Sequence, residues 1–282
     1  MPDSPPRVTI LGCGQMGLVC AEMLCRAATP SQVTLWGHAP EEVGELSQMR
    51  RSTRLPDYEL HPSVRVALTD DAALEDADLI VSAVPTQHTR GAWQRLRRFV
   101  PPDAAVVSVA KGIENGTLLR PTQVIADALD DDPDGKPRSM GCLSGPTIAT
   151  ELARCLPATM IAASDDPAFA ERLQKLFTTR WMRIYTNADL LGVELAGATK
   201  NVIAIAAGVL DGMQAGSNAK SALLARGLAE ITRLGTAMGA DSETFFGIAG
   251  VGDLATTCFS PHGRNRSCGE ALGKGESLEH YL

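Results

Sequence analysis

The stretch RVTILGCGQMGLVCAEMLCRAA (residues 7–28) starts with the apolar, partly β-branched run Val8 to Leu11, breaks at glycines and continues with helical spacing. This order predicts a strand, a tight turn and an amphipathic helix. Gly12, Gly14 and Gly17 form G-x-G-x-x-G directly after the strand. In such a turn the first glycine permits the bend, the second lets the backbone approach a pyrophosphate, and the third brings helix close to strand. The helix start then offers unbonded N–H groups to the phosphates. Three glycines can also serve a turn alone, so the context matters. QVTLWGHAPEEV (32–43) supplies it by repeating strand then helix. Sites selective for NAD end this second strand with an acid for the ribose hydroxyls. Here the tip reads Trp36, Gly37, His38, which leans toward NADP or toward tolerance of both cofactors. His38 reads equally as an exposed loop residue.

Moving outward, further strands are expected at 64–68, 77–83, 104–109, 140–144 and 159–163, with helices between most of them. That alternation predicts a doubly wound, Rossmann-type parallel sheet of the α/β class. After about residue 186 the β pattern gives way to long helical periods at 188–211 and 217–238. We therefore expect a dinucleotide-binding domain over 1–187 and an all-α domain over 188–282. The 282 residues, 44% hydrophobic and 21% charged, suit a globular chain with a sizeable core. A net charge of −7 offers no nucleic-acid footprint, so an anionic ligand needs a local basic pocket. Seven cysteines (Cys13, Cys20, Cys25, Cys142, Cys155, Cys258, Cys268) show no CxxC pair and no zinc pattern. Free thiols in a reducing cytosol, and no metal site, are the expectation. The polar start MPDSPPR has no signal-peptide pattern, no apolar run is expected to reach membrane-spanning length, and LDDDPDGKP (129–137) reads as a solvated acidic loop.

Open α/β sheets bind ligands at the carboxyl ends of their strands. SAVPTQH (82–88) leaves one strand through Pro85, and SVAKGIENGTL (108–118) leaves another through Lys111 and Gly112. Lys111 is either solvated or an anion contact. LSGPTIATELA (143–153) turns a strand into a helix at Gly145 and Pro146, where Thr147 is a substrate contact or a helix cap. In VELAGATKNVIAIAAGVLDG (193–212), Lys200 stands among small apolar residues with no carboxylate within a turn on its face. Either it snorkels to water, or its ammonium lines a cleft. There desolvation would draw its pKa down from about 10.4 toward the range useful for proton exchange. GIAGVGDLATTCFSPHGRNRSCGEALGKG (247–275) joins flexible-looking glycines to Asp253, Arg264, Asn265 and Arg266. An arginine at a helix start opposes the helix dipole. A bound phosphate would remove the conflict, because the guanidinium fork matches its oxygens; otherwise Arg264 is a surface residue.

Taken together these motifs resemble the bacterial-type NAD(P)-dependent sn-glycerol-3-phosphate dehydrogenase family. The likeness runs from VTILGCGQMG (8–17) through AKGIENGTL (110–118), RIYTNADLLGVELAGATKNVIAIAAGVLDG (183–212) and NAKSALLARGLAEITRLGTAMGAD (218–241) to GRNRSCGEALGKG (263–275). It implies an enzyme that reversibly reduces dihydroxyacetone phosphate to sn-glycerol 3-phosphate, the head-group precursor of phospholipids, with NADPH or NADH. It further implies a cytoplasmic protein without membrane insertion, and a homodimer. By the same match Lys200 transfers the proton. Lys111, Gly145, Thr147, Asp253, Gly263, Arg264 and Asn265 line the substrate site. Gly12, Gly14, Gln15, Met16, Gly17, His38, Lys111, Ala149 and Arg264 fall on cofactor positions.

The chain departs from the family pattern in three places. Gly263 replaces the usual serine before Arg-Asn, removing one hydroxyl donor. RRSTRLPDYELHP (50–62) lacks the family's asparagine and its tyrosine-leucine-proline-glycine turn. The family continues beyond Leu282 through further helices, so the helical domain is expected to be shortened, exposing apolar faces of its two long helices. A reductase of another small carbonyl acid, or a truncated dinucleotide-binding paralogue without turnover, are the alternative readings.

Overall fold

The computed structural model describes residues 5–131, 137–261 and 263–281. The first four residues of the polar start and most of the acidic loop at 129–137 therefore lie outside the described residues. By packing, the chain falls into one unit of Met1–Leu143 with Ala149–Ala188, and a second of Ser144–Ile148 with Asp189–Leu282.

The strands of the first unit are β1 (Arg7–Leu11), β2 (Gln32–Trp36), β3 (Arg51–Ser52), β4 (Leu55–Glu59), β5 (Arg65–Ala67), β6 (Leu79–Ser82), β7 (Ala105–Ser108), β8 (Met140–Ser144), β9 (Ala158–Ala163) and β10 (Met182–Asn187). Its helices are α1 (Gln15–Arg26), α2 (Pro40–Met49), α3 (Asp70–Leu74), α4 (Thr86–Leu96), α5 (Pro121–Leu129), α6 (Ala149–Ala153) and α7 (Pro167–Phe177). Eight strands form one sheet in the order β10-β9-β8-β7-β6-β1-β2-β5. β1 pairs in parallel with both β2 and β6, and β6 with β7.

Alternation along each strand covers both faces of this sheet. Val8 and Ile10 of β1 enter one core with Leu18, Leu35, Leu79 and Val81. Leu11 enters the other with Trp36, Ile80, Trp93 and Val106. A sheet buried on both faces needs helices on both faces, which is the doubly wound arrangement expected. β2 continues away from β1 on one side and β6 returns on the other. The crevice at their carboxyl ends is thus the topological switch point.

All the expected strands are present, within a residue or two at each end. Two features were not anticipated. The hairpin β3–β4 buries only Leu55 and Tyr58, and its charged residues obscure any apolar period. β10 buries Met182 and Ile184 and exposes Arg183 and Tyr185.

The second unit comprises α8 (Leu190–Gly212), α9 (Gly216–Ala237), α10 (Ser242–Phe246), α11 (Asp253–Phe259), α12 (Arg264–Gly273) and α13 (Leu278–Tyr281). Asp189 caps α8, accepting from the Gly192 N–H at 2.8 Å, and also holds Asp241 N and Thr244 Oγ1. The sequence expectation that no run reaches membrane-spanning length is corrected by α8. It runs for 23 residues, and an 18-residue window within it has a mean hydropathy of 1.4, enough by length and composition alone. Half of that stretch is buried inside the protein, Glu194 and Lys200 included. α8 is apolar because other helices of this unit pack around it.

Candidate active site

The glycine turn meets the geometric demands of a dinucleotide loop. Gly12 has φ +115°, and a Cβ there would lie 2.7 Å from the Ala83 carbonyl oxygen. A Cβ on Gly17 would lie 1.8 Å from the Gly12 oxygen. Both positions are closed by the protein itself. Gly14 differs: a Cβ there would meet nothing within 4 Å. It precedes α1 with no side-chain cap, so open space faces an uncapped helix start at the switch point. A pyrophosphate fits that cradle in shape and charge. The Gly12 N–H still donates to the Trp36 carbonyl at 2.8 Å, which holds the turn beside the end of β2.

The proposed cofactor residues around it divide by environment. Gln15 is exposed, and its Nε2 donates to the Arg54 carbonyl at 2.8 Å. The divergent segment 50–62 is thereby tied to the glycine turn. Met16 packs against the core below. His38 is exposed just beyond β2, next to Arg95.

Two further strand ends shape this unit's ligand edge. Thr86 opens α4 with its Oγ1 buried and without a hydrogen-bond partner. Gly112, at φ +150°, leaves no room for a Cβ, which would lie 2.9 Å from that hydroxyl. Lys111 is half-buried beside it. Gln87 latches the same loop, donating to the Ile113 carbonyl at 2.8 Å and accepting from Asn115 N at 3.0 Å. Ala149 begins the short α6.

In the second unit, Gly145 takes φ +134°. The Thr147 hydroxyl donates back to the Gly145 carbonyl at 3.2 Å.

The decisive arrangement surrounds Lys200. Its side chain is 7% exposed, so it does not snorkel to water. Nζ donates to Asp253 Oδ1 at 2.5 Å and to Thr257 Oγ1 at 2.6 Å. Thr257 in turn donates to the Asp253 carbonyl at 2.7 Å. The absence of a carboxylate within a turn on Lys200's face of its helix is thus made good from 53 residues away. The π-helical turn Ile248–Gly252 sets Asp253 at the head of α11. That turn demands Gly250, where a Cβ would lie 2.0 Å from the Phe245 oxygen. π-turns within helical runs often mark functional positions. Thr257 was missed from sequence, although its i+4 spacing from Asp253 was a usable signal.

The arginines of the GRNRS segment separate. Arg264 is the exposed first residue of α12 and makes no ion pair among the described residues, beside the half-buried Asn265 and the N-cap Gly263. Arg266 is structural: it pairs with Asp211 and Glu270 and donates to the Ser260 carbonyl at 3.0 Å. Asp211 also pairs with Lys220 at 2.6 Å. Burial opposes the Asp211 charge, but the bonds from Lys220 and Arg266 prevail and hold its carboxyl below the ordinary value. The neighbouring Cys258 thiol is pushed up to about 11 by burial.

Comparison with known proteins agrees with this organisation. The model described as NAD-dependent glycerol-3-phosphate dehydrogenase N-terminus matches residues 7–170, and that described as its C-terminus matches 189–282. A glycerol-3-phosphate dehydrogenase [NAD(P)+] of Salinibacter ruber is 43% identical over 98% of this chain and 80% of its own length. One of Geobacter sulfurreducens is 43% identical over 98% of this chain and 81% of its own. A crystal structure of glycerol-3-phosphate dehydrogenase from Coxiella burnetii superposes with a TM-score of 0.91 at 33% identity, covering 98% of this chain and 83% of that one. These relatives lend no support to the alternatives of another carbonyl acid or a paralogue without turnover. With an open dinucleotide cradle in one unit and a buried ammonium–carboxylate pair in the other, the chain belongs to the NAD-dependent glycerol-3-phosphate dehydrogenase family.

Proposed function

We propose that this chain catalyses the reversible reduction of dihydroxyacetone phosphate to sn-glycerol 3-phosphate, with 1–187 binding NADPH or NADH and 188–282 binding substrate. The observation that carries this reading is the Lys200–Asp253–Thr257 constellation. The bound nicotinamide supplies the hydride. As the substrate's carbonyl carbon accepts it, negative charge grows on the carbonyl oxygen. The Lys200 ammonium stabilises that charge and gives up a proton to form the hydroxyl. Asp253 and Thr257 fix Nζ in position before the reaction. Lys200 is then reprotonated from solvent.

In the same reading Arg264, Asn265 and the N–H groups at the start of α12 hold the substrate phosphate, with Gly263 leaving the helix start open. Lys111, Gly145 and Thr147 complete the substrate contacts. Gly12, Gly14, Gln15, Met16, Gly17, His38 and Ala149, with Lys111 and Arg264, serve the dinucleotide. The family resemblance further supports a cytoplasmic homodimer without membrane insertion, which light scattering and cell fractionation test. Oxidation of NADPH by the purified protein, followed by its absorbance, should depend on dihydroxyacetone phosphate. Unphosphorylated dihydroxyacetone should be reduced far less efficiently. No oxidation with the phosphate would overturn the assignment, and equal use of both ketones would remove the phosphate role.

A further inference from the structure

At the carboxyl end of β2, His38 is joined by Arg95, a residue that the cofactor positions above do not include. Leu11 and Trp36 are register partners, so a dinucleotide seated on Gly14 places its adenosine ribose against the residues that follow Trp36. No carboxylate stands at 37 or 38 to accept the two ribose hydroxyls. Asp70 approaches this end, but both its oxygens are engaged. Oδ1 accepts from Trp36 Nε1 at 3.0 Å and from an Arg95 terminal nitrogen at 2.8 Å, and Oδ2 accepts from Arg95 Nε at 2.7 Å. Burial opposes the Asp70 charge, but the bonds from Arg95 and Trp36 outweigh it and keep the carboxyl below its ordinary value. Asp70 is therefore an anchor for Arg95 and not a free ribose acceptor.

That anchoring fixes the guanidinium in an unusual posture for a surface arginine. Its Cζ lies 5.4 Å from the centroid of the Trp36 ring. Trp93, two residues earlier on α4, is fully buried and donates through Nε1 to Ser82 Oγ at 3.1 Å, which anchors the helix to the core. The remaining terminal nitrogen donates to His38 Nδ1 at 3.2 Å. An imidazole accepting at Nδ1 carries its proton on Nε2. Arg95 keeps one N–H on each terminal nitrogen after these bonds, and His38 keeps Nε2–H. Convergent donors on a braced cation are the groups a phosphate dianion needs and a ribose hydroxyl does not.

We propose that Arg95, braced by Asp70 and Trp36 and joined by His38, seats the adenosine 2′-phosphate and makes this chain select NADPH over NADH. The inference rests on the dinucleotide reading of the glycine turn. Isothermal titration without substrate tests it directly on the unmodified protein. 2′,5′-ADP should bind about tenfold or more tightly than 5′-ADP, as expected for charge-assisted contacts. R95Q should abolish that preference and leave 5′-ADP binding unchanged. In steady-state assays R95Q should lower kcat/KM for NADPH by about tenfold or more, through KM, with NADH altered less than about twofold. R95K keeps the charge without the fork and should fall between. H38A leaves the Asp70 pair intact and should reduce the 2′,5′-ADP preference by about threefold, which decides the matter if R95Q does not fold. Equal binding of the two nucleotides by the unmodified protein, or equal losses for both cofactors in R95Q, would overturn the proposal. If the protein oxidised neither cofactor with dihydroxyacetone phosphate, the functional reading would fail, and the nucleotide titrations would still decide this one.

Discussion

Lys200 and Asp253 illustrate how a buried ion pair constrains its own mutagenesis. Removing the ammonium alone leaves a carboxylate that is 2% exposed without its counter-ion. Breaking such a pair costs about 3–5 kcal/mol. Lys200→Met should therefore lose both activity and stability, and activity alone would not separate the two. The double variant Lys200→Met with Asp253→Asn removes both charges together. It should melt within a few degrees of the unmodified protein and keep its dinucleotide affinity, while kcat falls by about 10²–10⁴. Retained kcat would show that the proton comes from elsewhere. Arg264 is the converse case, an exposed side chain at a helix start. Arg264→Ala should change stability by less than about 0.5 kcal/mol. It should raise KM for dihydroxyacetone phosphate by a factor worth about 2–4 kcal/mol, read from initial rates.

Helix α8 meets α12 along a seam of glycines. A Cβ at Gly208 would lie 1.9 Å from the Arg266 oxygen, and one at Gly212 would lie 2.3 Å from the Glu270 oxygen. From the other side, a Cβ at Gly269 would lie 1.9 Å from the Ile205 oxygen and one at Gly273 would lie 2.4 Å from the Val209 oxygen. Each helix thus contributes a pair of glycines four residues apart, and the two backbones are in van der Waals contact. The glycines that look flexible in the 247–275 stretch include Gly269 and Gly273, which are packing devices. Gly269→Val should force the helices apart and cost at least about 3 kcal/mol, seen as a lowered melting temperature. Gly14→Ala provides the contrast. Its Cβ meets only open space and its φ is −70°, so folding should be unaffected while dinucleotide affinity falls at least about tenfold by titration. Equal destabilisation by both changes would mean that Gly14 is a structural turn residue only.

Across the second unit, α8, α9 and α12 are joined by one ion network, since Asp211 pairs with both Lys220 and Arg266. The folded Asp211 carboxyl titrates below its ordinary value, so the folded state holds its charge to lower pH than the unfolded chain does. The stabilisation is therefore fully present above the unfolded pKa of about 3.9 and is lost as pH falls through the folded value. Thermal unfolding between pH 7 and pH 2.5 should show this loss beginning near pH 4. Asp211→Asn should be less stable at pH 7 and show a shallower decline in acid. Parallel pH profiles for the two proteins would remove Asp211 from the acid response.

The glycine turn, the strand succession, the change to helices near 187 and the anomaly of Lys200 are all legible in the chain alone. Each of these is carried by neighbours in the chain: a period of two, a period of 3.6, or fixed glycine spacing. The alternation of β10 is legible in the same way, whereas the charges of the β3–β4 hairpin hide its two buried residues. Tertiary structure decided the rest. Asp253 and Thr257 reach Lys200 across 53 and 57 residues, and no local pattern encodes that meeting. The same holds for Arg264 and Arg266, adjacent in motif but divided between an open helix start and an ion network. It holds too for Arg95, whose role depends on Asp70 and Trp36 arriving from two other elements. A side chain's partners are set by the path of the chain, because Coulombic and packing energies depend on distance in space and not on separation in sequence.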